Sequence, residues 1–336
     1  MRWTATTRLC ALIGMVSVAA GILSGAPTSA GAAADEQQYL VAGTDQASQR
    51  ILVLDPSVEN WNEANNSKAL KWAWQPTAAD GFTEPTPGWR LVDEAKLRYS
   101  RKYDTRLVLA TASYGFVGLI RYPSGKRQWS VNADDGIAPL DNPHSAELLP
   151  DGNVAVAAST GGWLRVYTAS QGANSQTYVQ YNLPDAHGVQ WDPETRMIWA
   201  LGGHHIVALK YGGTPAQPTL TEVRSTELPS LWGHDLQPVY GNPDRFWVTT
   251  GSRVYQYSVS KDEFTTDYPD SDKLDRVGVK SVSTNPGTGQ ILQTRPKAGC
   301  ATSWCTDTVE FFGPDTTRTR PGTQFYKARW WVAESR

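Results

Sequence analysis

Cysteine is scarce in this sequence: there are three in 336 residues, and only Cys300 and Cys305 lie near one another. A thiolate zinc cluster needs two further ligands beside such a pair, and none stands nearby. Long apolar runs are also missing. The one continuous stretch, Leu9 to Leu23, is too short to cross a bilayer. An excess of one charge is missing too, because 31 Lys and Arg face 33 Asp and Glu for a net charge of -2. That balance argues against nucleic acid as the main partner, which would call for clustered cations. Helical periodicity is nearly absent beyond the N-terminal stretch, which leaves an all-β chain.

What is present begins with a leader. Arg2 and Arg8 precede the apolar stretch, and "APTSAGAAA" follows with Ala-x-Ala cleavage options at Ala32 or Ala34. Residues 1–34 are therefore expected to be a secretory signal peptide, and residues 35–336 a single exported domain acting outside the cell, as a monomer and without membrane contact. In that oxidising setting Cys300 and Cys305 should form a disulfide. The 14 Trp and 14 Tyr suit either of two uses. Their flat faces fill wedges between sheets, and they also stack on sugar rings.

Three segments superimpose: "HSAELLPDGNVAVAASTGGWLRVYTA" from His144, "HGVQWDPETRMIWALGGHHIVALKY" from His187 and "HDLQPVYGNPDRFWVTTGSRVYQYSV" from His234. Each reads strand, turn, strand, Gly-containing turn, strand, and a fourth strand follows. The histidines are 43 and 47 residues apart, the period of a four-stranded propeller blade. The frame extends downstream to a blade beginning at Lys280, completed by "TVEFFGP" and "FYKARWW". Upstream it gives a blade whose first strand carries Glu94 and Lys96. "QYLVAGTDQASQRILVLDP" and "LKWAWQP" supply three strands of a further blade, which needs a fourth from the other terminus or from the stretch 76–92. The expected fold is all-β, one closed β-propeller of six four-stranded blades, with a seventh left open. Gln75 to Arg90 reads as a loop on the rim.

In such a blade the first strand lines the central channel and starts at the face that carries the turn between strands two and three. His144, His187 and His234 are then expected to share one mouth, where three imidazoles could hold a divalent metal ion such as Mn, Ca or Zn. Glu147, Gln190 and Gln237, three positions on, should face the other side of a regular strand and serve as support unless a bulge intervenes. The turns add Asp45, Gln46, Tyr114, Trp163, His204, His205, Arg253, Arg295 and Lys297 to the same face. With Lys96, Lys280 and Arg90 they make a cationic, aromatic mouth suited to a carboxylate or sulfate.

An acidic glycan is the expected substrate. Elimination from a uronate needs charge neutralisation at the carboxylate, a base and an acid. His144, His187 and His234 with a metal, Arg295 or Lys280 as the cation, and Tyr114 or a histidine as acid and base form that set. Glu94, Lys96, Trp163, His205, Arg253, Lys280 and Lys297 are the expected substrate contacts. Hydrolysis would want two facing carboxylates, and only Glu94 lies clearly in the channel frame, with Asp45 and Asp235 behind it. A non-catalytic glycan-binding or cell-wall-binding propeller, and a lactonase or hydrolase of the calcium-propeller type, stay open.

"NPHSAELLPDGNVAVAASTGGWLRVY", "GHDLQPVY", "WVTTGSRVYQYS" and "TRPKAGCATSWCTDTVEFF" resemble an uncharacterised family of secreted actinobacterial propeller proteins over nearly the whole mature chain. The resemblance implies export and a propeller, and no activity. More loosely, a histidine cluster in a channel is similar to the metal-binding propeller lyases that cleave oligogalacturonides, in which histidines and a glutamine hold the ion.

Overall fold

Strand Thr105–Ala112 shows why this chain closes into a ring. Side chains alternate along a strand, so Leu107 and Leu109 enter one apolar cluster with Ala146, Val154 and Val156, while Val108, Ala110 and Ala112 enter another with Ile51 and Val53. A sheet that is apolar on both faces has to be covered on both. A closed ring of sheets does this for every member and leaves only short inner edges, sheltered in the channel.

The structure is a computed structural model that describes residues 39–62, 67–83, 88–134 and 140–334. The expected leader, 1–34, lies outside them. Within them the strands form six four-stranded antiparallel sheets, the six blades of a propeller. Six apolar clusters fill the six wedges between neighbouring blades. Trp129, Trp199 and Trp247 are fully buried wedge residues, and Trp199 packs on both Phe246 and Tyr257. The filler reading therefore holds for these indoles.

The innermost strands are Phe325–Trp330, Val92–Ser100, Pro143–Leu148, Gly188–Asp192, Asp235–Pro238 and Ser281–Thr284, in blades one to six. Blade one joins the two ends of the chain, because Phe325–Trp330 pairs with Val41–Asp45. This corrects the placement of "FYKARWW" in blade six. The fourth strand of that blade is Thr316–Thr319, and the C-terminal strand closes the ring from its inner side. The missing strand of the first blade thus comes from the other terminus. In the loop from 75 to 90, Phe82 and Trp89 pack on Trp74 and Phe116, and residues 84–87 lie outside the described part.

Two local devices turn the start of each inner strand into the channel. The register slips between Val92 and Glu94 and between Pro143 and Ser145, so Asp93 and His144 sit on bulges. The amides of His187, His234 and Lys280 bond to Leu201, Thr249 and Thr294, the residues already paired with their successors, which repeats the two-against-one arrangement. Two residues earlier the backbone is left-handed in five blades, at Leu91, Asn142, Asp185, Trp232 and Gly278, with φ of 53, 59, 55, 64 and 77°. That kink swings the incoming loop down onto the inner strand.

Candidate functional site at the channel mouth

The bulge position is occupied in turn by Tyr326, Asp93, His144, His187, His234 and Lys280, one residue from each blade, and all six line a cavity of about 460 Å³. Gln46, Tyr114 and Trp304 come to its rim from turns between second and third strands. Trp304 sits in the loop closed by the Cys300–Cys305 disulfide and donates its indole N–H to Gln46 at 2.9 Å. Arg90 lies over the Tyr114 ring, 4.6 Å from its centre.

The three histidines do meet. The rings of His144 and His187 stack 4.4 Å apart and 13° from parallel, and His234 meets His187 edge to face at 5.0 Å. Each has a different polar neighbour. Nδ1 of His187 bonds to the Asp185 carbonyl at 2.9 Å, His144 Nδ1 stands 3.6 Å from Asp93, and His234 Nε2 lies in hydrogen-bond contact with Lys280 Nζ at 3.1 Å. Stacked rings do not aim their lone pairs at one point, and Lys280 Nζ occupies Nε2 of the third. In this arrangement the imidazoles do not form a metal cage, and among the described residues no group of three His, Cys, Asp or Glu is placed to hold an ion.

Burial and neighbouring cations keep the His144 and His234 rings neutral. Desolvation, with Lys280, His187 and Lys327 beside it, lowers His234 to about 2, and desolvation with His187 and Lys327 holds His144 well below the usual range. Desolvation and Lys327 bring Lys280 down to about 8. Burial pushes the Asp93 carboxyl up, although Ser113 donates to it at 2.8 Å.

Beneath the mouth the channel is plugged by charge. Arg329 bonds with both arms to Glu94, at 2.5 and 2.8 Å, and reaches across to Asp235 at 2.6 and 3.0 Å. Arg98 holds Glu147 at 2.7 and 2.8 Å, and Lys96 donates to Ser145 and to the Val189 carbonyl. Burial alone would raise the Glu94 carboxyl, but Arg329, Lys327 and Lys96 outweigh it and hold it well below the usual range. Four cations (Lys96, Arg98, Lys327 and Arg329) thus share the plug with three carboxylates (Glu94, Glu147 and Asp235). Lys327 Nζ is buried with no hydrogen-bond partner, as are Nδ1 of His144 and of His234. The plug holds one more cation than carboxylates below the cavity, with Lys327 Nζ 3.5 Å from Asp235 and 3.9 Å from Glu94.

A family profile matches residues 27–335. The chain belongs to DUF6528, a family of unknown function. No curated protein matches it. Among solved structures, this family member is similar to a protein of unknown function from Bacteroides caccae, at 10% identity and a TM-score of 0.54, over 88% of this chain and 99% of that one. It is also similar to the dihydro-heme d1 dehydrogenase NirN, at 12% and 0.45, over 83% of this chain and 52% of that one. A streptogramin B lyase shares 12% identity at a TM-score of 0.44, with 68% of each chain covered. The chain spans about half the length of NirN. The likeness to the Bacteroides caccae protein describes the fold alone.

The DUF6528 site gathers only part of the expected set. Tyr114, His144, His187, His234 and Lys280 come together at the cavity. Glu94 and Lys96 lie below it in the ion plug, as does Asp235. Glu147, Gln190 and Gln237 face the channel because of the bulges, yet stay a layer deeper, tied to Arg98 and to the Leu236 carbonyl. Trp163 is buried under the Arg165 guanidinium at 3.8 Å. Arg253 pairs with Asp275 and Lys297 with Asp307, away from the cavity, and Arg295 shares a separate cleft with Lys297 and Glu310. Asp45 caps its own turn, and His204 and His205 are exposed on theirs. Asp93 and Tyr326 were not among the expected residues. Their signal was the histidine register itself, hidden by a one-residue bulge in one blade and by the misplaced last strand in the other.

One consequence is acid lability. The folded His144 and His234 imidazoles titrate below their unfolded value, so as pH falls under about 6.5 the unfolded chain takes up protons that the native state refuses. Stability is complete above that pH and is lost as pH falls, by about 1.4 kcal/mol per pH unit for each imidazole kept neutral. Urea midpoints at pH 7 and pH 5 should differ steeply for the native chain and much less for a His144→Asn, His234→Asn double variant. Equal pH dependence in both would show that the rings protonate in place.

Proposed function

We propose that the protein is a secreted enzyme acting on uronic-acid-containing glycans, and that it cleaves them by β-elimination at the channel mouth with Lys280 as the base. The observation that carries this reading is the Lys280–His234 contact in a cavity whose lining includes one carboxyl, Asp93. Hydrolysis by the usual route wants two facing carboxylates, and Glu94 is committed to Arg329 beneath the floor.

In the elimination, the neutral amine of Lys280 takes the proton next to the sugar carboxylate. The electrons of that bond form the double bond to the neighbouring carbon, and the glycosidic oxygen leaves and takes a proton from Tyr114. The lowered basicity of Lys280 gives it a working fraction of free amine near neutral pH. His144 and His234 are too weakly basic for that step, and His234 positions the Lys280 amine through its Nε2 contact. Lys327 and the surplus charge of the plug favour the carboxylate as charge builds on it. No step runs through a metal.

The test is to incubate the full mature chain with polygalacturonate, alginate and glucuronate-bearing polymers. Ultraviolet absorbance of an unsaturated product should appear, at a rate that rises as pH passes through about 8 and Lys280 loses its proton. New reducing ends without absorbance would mean hydrolysis, and binding without either would mean a glycan-binding propeller. A chelator should leave the rate unchanged. A loss restored by Mn, Ca or Zn would move the charge-neutralising role to an ion recruited by the histidines.

A further inference from the structure

We infer that Trp232 is a second sugar-binding position, a stacking platform for a pyranose ring of a glycan that extends beyond the cavity. The inference deepens the proposed function and rests on it for the identity of the chain that is bound.

Trp232 is the kink residue of blade five, two positions before His234, on the face where the cavity opens. Of the other kink residues, Leu91 and Asn142 line the cavity, the Asp185 carbonyl holds His187, and blade six uses Gly278. The turn therefore requires no large side chain. A tryptophan there holds a left-handed backbone that L-residues disfavour and that glycine adopts freely. Trp232 is 63% exposed, and among the described residues its indole has no hydrogen-bond or ring partner. Packing thus does not account for the side chain.

The loop is nonetheless firmly held. The Trp232 amide bonds to Gly203 at 2.7 Å, and the Leu231 carbonyl accepts from Gly251 at 3.1 Å. A Cβ on Gly251 would come within 2.8 Å of the indole edge, so the ring rests against that glycine. A fixed indole open to solvent offers a flat apolar face with little entropy left to lose. Leu231 beside it is 43% exposed, but His204 and His205 in the adjoining turn are polar and exposed. The apolar area matches a sugar ring better than a protein surface.

The test compares native chain, Trp232→Gly and Trp232→Phe by calorimetry with a hexauronate, a diuronate and a neutral hexasaccharide. Trp232→Gly should weaken hexauronate binding about 5-fold, the scale of one aromatic stack. It should leave diuronate affinity unchanged and the melting temperature no lower, since glycine suits the kink. Trp232→Phe should restore most of the affinity. Unchanged hexauronate affinity, or a lower melting temperature with the loss, would overturn the inference. Stacking needs no charge, so if native protein ignores uronates the acidic-glycan reading fails while the platform is still read with the neutral hexamer. Trp232-dependent binding of that hexamer would support the platform, and binding of neither hexamer would overturn it.

Discussion

Replacing Arg329 with methionine should destabilise the protein by about 3–5 kcal/mol, the cost of leaving buried charge without its partner. Arg329 is 4% exposed and makes four short bonds to Glu94 and Asp235, carboxylates that belong to blades two and five while the arginine belongs to blade one. Its loss leaves them only the longer ion-pair contacts to Lys327, at 3.5 Å from Asp235 and 3.9 Å from Glu94, and to Lys96, at 3.9 Å from Glu94. Against a typical domain stability of about 5–15 kcal/mol, that is enough to leave much of the chain unfolded at moderate temperature. Urea unfolding followed by tryptophan fluorescence measures it. Arg253→Met, which removes the exposed pair with Asp275, should be nearly silent in the same assay. A loss below about 1 kcal/mol for Arg329→Met would mean that water enters the plug and screens the carboxylates.

Lys280→Met should reduce elimination by about 10²–10⁴-fold, the usual contribution of a positioned base. The fold should survive, because Lys280 is only partly buried and, among the described residues, its one side-chain hydrogen bond is to His234. The pH inflection near 8 should vanish with it. Lys280→Arg keeps the positive charge but cannot release its proton, so it should bind the substrate and turn it over no better than methionine. Lys280 is also one of the cations that depress His234, so the methionine variant should raise that imidazole's basicity, which is visible by NMR titration. A Lys280→Met rate within about 3-fold of native would give the base to another group and overturn the assignment.

Much of this was legible in the sequence because it is written over short distances. The period from His144 to His234, the Pro-Asp-Gly turn at Pro150–Gly152 and the paired Cys300 and Cys305 each lie within one blade or within the span of neighbouring blades. Strict alternation misled in one respect. It set Glu147 on the opposite side from His144, whereas the bulge between Pro143 and Ser145 puts both toward the channel. The same slip in blade two hid Asp93 behind Glu94. Trp163 looked like a binding surface and is a wedge residue, because a strand's first residue can face the neighbouring blade as readily as the mouth.

The sequence by itself determined an all-β chain, the blade period, the disulfide partners and three histidines in one register, since each follows from alternation, turn residues or spacing along a few dozen positions. Tertiary structure alone decided that the last strand closes the first blade and so brings Tyr326, Lys327 and Arg329 into the channel. It also decided that the imidazoles stack rather than converge, and that Lys280 caps one of them. Arg329 meets Glu94 across 235 residues of chain. No local pattern encodes which charges will face each other there, because only ring closure sets the distance between them.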